Sequence, residues 1–156
     1  METPRTAGGN RPGSLRPVAQ QPEAILATRY TNLTNAKVSP MKILMIINGA
    51  AYGQDATYNA LRLAKTLARR DNASLQIFLM GDGVTAAMAG QKTPDGYYKL
   101  DRMLTDTARH GAQIGCCSTC MDARGITDEL LIPEARRSTM NELADWTIEA
   151  DKVLVF

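Results

Sequence analysis

Beyond residue 40 the chain changes period several times, and each change predicts an element. Lys42–Ile47 is an apolar run without alternation. A strand buried on both faces reads this way, because successive side chains point to opposite sides and both sides must be apolar. Asn48-Gly49-Ala50-Ala51-Tyr52-Gly53 breaks the run as a loop. Asp55 then caps a helix to about Arg70, with Ala60, Leu61, Ala64, Leu67 and Ala68 on one face. Asp71-Asn72 is a turn before a second buried strand, Ser74–Leu79. Gly81-Asp82-Gly83 leads into a short helix, Val84–Ala89. After a loop containing Pro94-Asp95-Gly96 comes a helix with Leu100, Met103, Leu104, Thr107 and Ala108 inward and Gly111 at its stop. Ala112–Cys116 is the third strand, Met121–Arg124 a short helix ended by Gly125, and Leu130–Ile132 a minor strand closed by Pro133. Thr139 and Glu142 have the spacing of a capping box. The helix they open carries an apolar stripe of Met140, Leu143, Ala144, Thr147 and Ile148, and Lys152–Phe156 is the last strand.

Buried strands alternating with amphipathic helices predict an α/β domain, a mostly parallel sheet of about five strands covered on both sides. Ligand and reaction sites in such sheets lie beyond the strands' carboxyl ends. Two loops qualify, Asn48–Gly53 and Cys117–Gly125.

Residues 1–40 do not share this grammar. They hold five of the seven prolines, and up to Gln21 they have almost no apolar content. Such a segment has too little to bury to offset the entropy of ordering, so it reads as a disordered or loosely packed extension, with at most a transient helical turn at Glu23–Tyr30. It is acid-poor and carries arginines but shows no amphipathic stripe, which favours an extension, or a start upstream of a natural one at Met41, over a targeting peptide. Charge divides at the same place: five basic and two acidic residues in 1–40, thirteen basic and fourteen acidic in 41–156. The folded part therefore has no basic excess to recommend nucleic acid. No apolar run reaches the length of a membrane span.

The three cysteines, Cys116, Cys117 and Cys120, lie within five residues. So close a cluster cannot cross-link a secreted fold, and it points to a cytoplasmic protein with a reactive thiol or a metal site. Cys117-Ser118-Thr119-Cys120 is a C-x-x-C pair at a strand end. Thiolate is the reactive form, and a helix start or a nearby arginine favours it. One helical turn separates the two sulfurs, so Cys120 can resolve a modified Cys117, while Arg124 can supply positive charge that Asp122 partly offsets. Inert buried cysteines are the competing reading. Cys116 reads as a small buried hydrophobe. Zinc would need a fourth ligand, and the single histidine, His110, reads as a cap on helix carbonyls. No metal or cofactor is expected. Asn48, Gly49, Tyr52 and Gly53 form a small-residue loop that can cradle an anion or simply connect strand to helix; it matches no nucleotide-binding fingerprint.

These segments together resemble a known family. Met41-Lys-Ile-Leu-Met-Ile-Ile-Asn-Gly-Ala-Ala-Tyr-Gly53 and Phe78-Leu-Met-Gly-Asp-Gly-Val-Thr-Ala-Ala87 are similar to the opening and second strand of DsrE/DsrF-like sulfur-relay proteins. Cys117–Gly125 and the ending Glu142–Phe156 are similar to the YchN-type branch. The resemblance spans 41–156 and none of 1–40. It implies a three-layer α/β/α domain, a homo-oligomer (commonly a homohexamer), and a persulfide-carrying cysteine that falls on Cys117, with Thr119, Asp122, Arg124 and Gly125 around it. Cys120 matches the second cysteine of the YchN-type branch, which relay subunits mostly lack. The expectation is therefore a sulfur-handling protein, a sulfurtransferase or sulfur carrier with protein donors and acceptors. A thiol–disulfide redox protein or sensor, and a non-enzymatic oligomeric binding or scaffold protein, are the alternatives.

Overall fold

The computed structural model describes residues 39–156; the expectations for the arm before them fall outside the described residues. Five strands, β1 (Met41–Ile47), β2 (Ala73–Leu79), β3 (Gln113–Cys117), β4 (Ala135–Ser138) and β5 (Lys152–Val155), form one sheet in the order β4-β3-β2-β1-β5. Every pairing is parallel. The helices are α1 (Asp55–Leu67), α2 (Leu100–Arg109), the five-residue α3 (Ser118–Asp122) and α4 (Met140–Glu149). Since parallel crossovers are right-handed, α1 and α2, which lead the chain one way across the sheet, cover one face. α4 leads back to β5 and covers the other.

The apolar runs at β1 and β2 are buried, as their lack of alternation requires: Leu44, Met45, Ile47, Ile77, Phe78 and Leu79 are all fully inaccessible. α1 presses Ala60, Leu61 and Ala64 onto this core, and α2 adds Leu100 and Leu104. On the opposite face the anchor is Trp146, whose ring meets Phe78 edge-on at 6.1 Å between centroids. Gly115 lies beside Phe78 in the register. Its lack of a side chain makes the room, because a Cβ there would stand 3.3 Å from the Trp146 ring. Losing a buried aromatic of this kind costs about 3–5 kcal/mol, so Trp146 is a main anchor of α4 beside Leu143.

Several expected details change. The buried side of α4 is Leu143 and Trp146; Met140, Ala144, Thr147 and Ile148 are exposed. The helix is apolar on more than one side, so its period alone does not pick the inner face. The capping box is half formed. Thr139 Oγ1 accepts from the Glu142 amide at 3.3 Å, but the Glu142 carboxylate turns to Arg136 and Ser138. α1 starts with Asp55 as its first residue, and Gln54 occupies the cap without a side-chain bond. The segment Val84–Ala89 is a 3-10 turn spanning Gly81–Ala87.

The minor strand also moves. Leu131 makes only an isolated antiparallel bridge to Met88, and β4 begins after Pro133 as Ala-Arg-Arg-Ser. An edge strand needs no double-sided apolar run. Arg136 reaches Glu142 and stacks over the Trp146 ring at 5.9 Å, while Arg137 reaches Asp122 and Asp128 on the other face.

The 3-10 turn is held hard against the end of β1. Met80 donates its amide to Ile47 O at 3.0 Å, and Gly83 donates to Asn48 O at 3.1 Å. A Cβ on Gly83 would lie 2.2 Å from Ile47 O, a clash with backbone that no rotamer relieves. Gly83→Ala is therefore expected to lower stability by about 3 kcal/mol or more. Chemical denaturation of the two proteins measures this directly; an unchanged midpoint would show that the turn relaxes freely.

Candidate active site at the end of strand β3

Parallel pairing in register brings the carboxyl ends of β1, β2 and β3 side by side. The topological switch of the sheet lies between β1 and β5, since the crossover leaving β1 runs to one side and the crossover from β4 returns to β5 over the opposite face. Open α/β sheets usually bind ligands at that crevice. There Asn48, itself exposed, donates its amide to Phe156 O at 2.8 Å and its side-chain nitrogen to the same oxygen at 3.4 Å, continuing the β1–β5 pairing. The cysteine sulfurs lie two strands away.

Cys117 is the last residue of β3 and the cap of α3, so the chain turns from strand to helix at the sulfur-bearing residue. Its side chain is 4% exposed. Cys117 Sγ and Thr119 Oγ1 are 3.3 Å apart. Burial alone pushes a thiol up. At Cys117 it is outweighed by the Thr119 hydroxyl, the Cys120 thiol and the amides of Cys120 and Thr119, which together hold the thiol below its ordinary range. The donors are specific groups at close range rather than the dipole of a long helix, since α3 has only five residues.

Cys120 differs in each respect. It is half-buried, and its Sγ accepts the Gly81 amide at 3.2 Å. Burial and the hydrogen bond to Cys117 push its thiol up, and the Gly81 amide and Arg124 offset this only partly. Cys116 alternates to the opposite face, fully buried, and its thiol is pushed up to about 12, first by burial. The three thiols are thus graded by environment, with Cys117 alone moved toward thiolate.

Arg124 does not sit on Cys117. Its guanidinium forks onto Asp82 Oδ1, from Nε at 2.9 Å and Nη2 at 2.6 Å, and donates from Nη1 to Cys120 O at 2.9 Å. Exposed pairs of this kind contribute about 1 kcal/mol or less. The bond's effect is positional: it ties α3 to the turn after β2. Asp122 does not offset Arg124. It pairs with Arg137 at 2.7 Å, and Arg137 also donates to Ser118 O at 3.4 Å. Gly125, at φ +63, ends the segment in the left-handed region.

The glycine-rich loop divides. Asn48 braces the 81–83 turn that supplies the Gly81 amide. Gly49 O accepts from Thr57 Oγ1 at 2.7 Å, and Gly53 takes a left-handed turn at φ +100. Tyr52 joins a different neighbourhood, donating to Gln91 Oε1 at 2.6 Å and stacking on Tyr98. Among the described residues, no three of His, Cys, Asp and Glu gather as metal ligands. His110 Nδ1 lies 2.8 Å from Asp106 O, capping α2.

Gly81, Asp82 and Arg137 are the site residues that sequence reasoning missed. The first two were within reach: a parallel β2–β3 pairing places Gly81-Asp82-Gly83 beside the cysteines. Arg137 had no such signal, because its strand was misplaced.

The chain is a member of the DsrE/DsrF-like family, whose sequence profile matches residues 41–156. It is similar to Protein YchN of Escherichia coli K12, 43% identical over 116 residues, covering 74% of this chain and 98% of that one. The crystal structure of that protein superposes with a TM-score of 0.70, covering 74% of this chain and 99% of the other. An uncharacterized protein of Methanopyrus kandleri is 36% identical over 114 residues, covering 73% of this chain and 93% of its own. The sulfurtransferase TusD of Salmonella newport is a more distant relative, 26% identical over 128 residues, covering 74% and 100%.

The graded thiols predict distinct pH profiles. Thiolate fraction rises with pH through the pKa, and an unperturbed thiol is half ionised near about pH 8.5. Alkylation of Cys117 is expected to reach its midpoint at lower pH than that of Cys120, and Cys116 is expected to stay unmodified up to strongly alkaline pH. Peptide mass spectrometry after timed iodoacetamide quenching reads the midpoints, which are independent of the slower access that burial imposes. Cys120 titrating before Cys117 would reverse the assignment.

Proposed function

We propose that this protein handles sulfur, carrying a sulfane sulfur as a persulfide on Cys117 in the cytoplasm. The observation that carries the reading is that Cys117, of three adjacent thiols, is the one whose surroundings favour thiolate. Membership of the DsrE/DsrF-like family and similarity to the sulfurtransferase TusD support it at the level of sulfur relay. The close set of free thiols suits a reducing compartment, and no helix among the described residues is long and apolar enough to cross a membrane.

The Cys117 thiolate attacks the outer sulfur of a donor persulfide. The donor's S–S bond breaks, the donor leaves as a thiolate, and Cys117 holds the S–S bond, with no net oxidation. Thr119 and the free amides of α3 stabilise the thiolate before and after transfer. An acceptor thiolate then takes the outer sulfur and returns Cys117 to its starting state. Cys120, one helical turn beyond Cys117, allows a second outcome. Cys120 attacks Cys117 Sγ, a disulfide forms, and the outer sulfur leaves as hydrosulfide; the pair loses two electrons and the sulfur gains them. A protein that favoured this route would act in thiol–disulfide redox and would need an external reductant to reset.

Incubation with a sulfane donor followed by intact-protein and peptide mass spectrometry separates these readings. Cys117→Ser is expected to abolish the gain of one sulfur. Cys120→Ser is expected to load and to release hydrosulfide more slowly, and Cys116→Ser is expected to load normally at reduced stability. Normal loading of Cys117→Ser would transfer the role to Cys120. No loading in any form, with a reversible Cys117–Cys120 disulfide, would favour the redox protein.

The working unit in this proposal is a homo-oligomer, a homohexamer on the family resemblance. Supporting it, α4 and β5 leave Met140, Ile148, Val153 and Val155 at 55%, 84%, 40% and 64% exposure, more apolar surface than a monomer gains from showing to water. Light scattering at micromolar concentration is expected to give a species larger than a dimer, and Ile148→Asp to reduce its mass. A stable monomer would overturn this part of the proposal.

A further inference from the structure

The face of the domain formed by α1 and α2 carries a second constellation, remote in sequence from the cysteines. Tyr98 stacks on Tyr58, with ring centroids 3.8 Å apart and 16° between planes. The next ring, Tyr97, stands 6.0 Å from Tyr98 and is 63% exposed. Beside these rings a groove of about 290 Å³ is lined by Lys65, Tyr97, Tyr98, Lys99, Arg102 and Met103. Three cations and two aromatic rings therefore face one small cavity.

The cations are under-neutralised. Lys65 shares the single carboxylate of Asp106 with Arg69, at 2.8 and 3.1 Å. Among the described residues no carboxylate lies within ion-pair distance of Lys99 or Arg102. Asp101, their neighbour in the chain, is buried, and its oxygens accept from the amides of Gln91 and Arg102 at 3.1 and 2.7 Å. The first amides of α2 are also taken, since Gln91 Oε1 accepts from Leu100 and Asp101. An anion at this groove would thus be held by side chains and not by the helix terminus.

We propose that this groove binds a small phosphorylated ligand with a planar ring, a nucleoside monophosphate in class, the phosphate on Lys99, Arg102 and Lys65 and the ring stacked on Tyr97. Arginine and lysine bind phosphate through charge-assisted hydrogen bonds, and an exposed tyrosine face takes a base without regard to its identity. The cavity is at the small end of ligand sites, which fits one nucleotide. A nucleic acid strand fits less well. Residues 41–156 hold fourteen acidic against thirteen basic side chains, so the domain has no net positive charge to attract a longer backbone.

Calorimetric titration of the full-length protein with AMP, adenosine, ribose 5-phosphate, inorganic phosphate and a single-stranded ten-mer tests this. AMP is expected to saturate one site per chain and to bind about tenfold or more tighter than adenosine or phosphate alone. The Lys99→Ala/Arg102→Ala double variant is expected to lose about tenfold in AMP affinity, and Tyr97→Ala a smaller part while leaving ribose 5-phosphate binding unchanged. Because these side chains are outside the core, the melting temperature should hold in each variant, and Cys117→Ser should bind AMP as the parent does. Absence of mononucleotide binding, or equal affinity for AMP and phosphate with no effect of Tyr97→Ala, overturns the proposal. A ten-mer that binds far more tightly than AMP overturns it in favour of a nucleic-acid surface.

Discussion

The arrangement of this domain depends on a backbone contact at the end of its first strand. Ile47 and Asn48 present their carbonyls to the amides of Met80 and Gly83, at a separation that only glycine permits at position 83. With that turn fixed, the Gly81 amide points at Cys120, and Asp82 stands where the Arg124 guanidinium can fork onto it. The helix carrying Cys120 is too short to hold itself in place, since isolated turns of this length do not persist in water. Its position is borrowed from β2 through Asp82 and from β4 through Arg137. The surroundings of Cys117 are thus arranged by strands whose ends are level because their register is parallel.

Local hydrogen bonding, more than helix polarity, separates the thiols. Cys116 and Cys117 are adjacent, yet strand alternation sends one into a dry interior and leaves the other among donors. A single register determines which thiol is shielded as a hydrophobe and which is moved toward thiolate. The sulfur lies two strands from the topological switch, where Asn48 bonds to Phe156 O.

Most of the core and the location of the cysteine segment were legible in the sequence, because doubly buried strands and the helices at 55–67 and 100–109 have unambiguous periods. Cys117 and Cys120 could be placed at a strand–helix junction from their neighbours alone. What could not be read has physical reasons. β4 is an edge strand whose residues lack an apolar signature, so the Arg137 contacts were hidden with it. α4 is apolar on several sides, so period does not select Leu143 and Trp146. The partner of Arg124 is 42 residues away in sequence, and no local pattern reports a pairing set by tertiary register. Tyr52 lies in the right loop for the site, but its hydroxyl finds a stronger set of partners around Gln91.

The two margins of the sheet are unlike. β4 carries adjacent arginines, each engaged to an acidic residue of its own domain, and charged side chains are a common guard against strand addition. β5, Lys152-Val-Leu-Val155, has a single charge at its start. Among the described residues the two outer strands thus offer different surfaces to an incoming strand: arginines already tied to their own domain on β4, and a mostly apolar edge on β5.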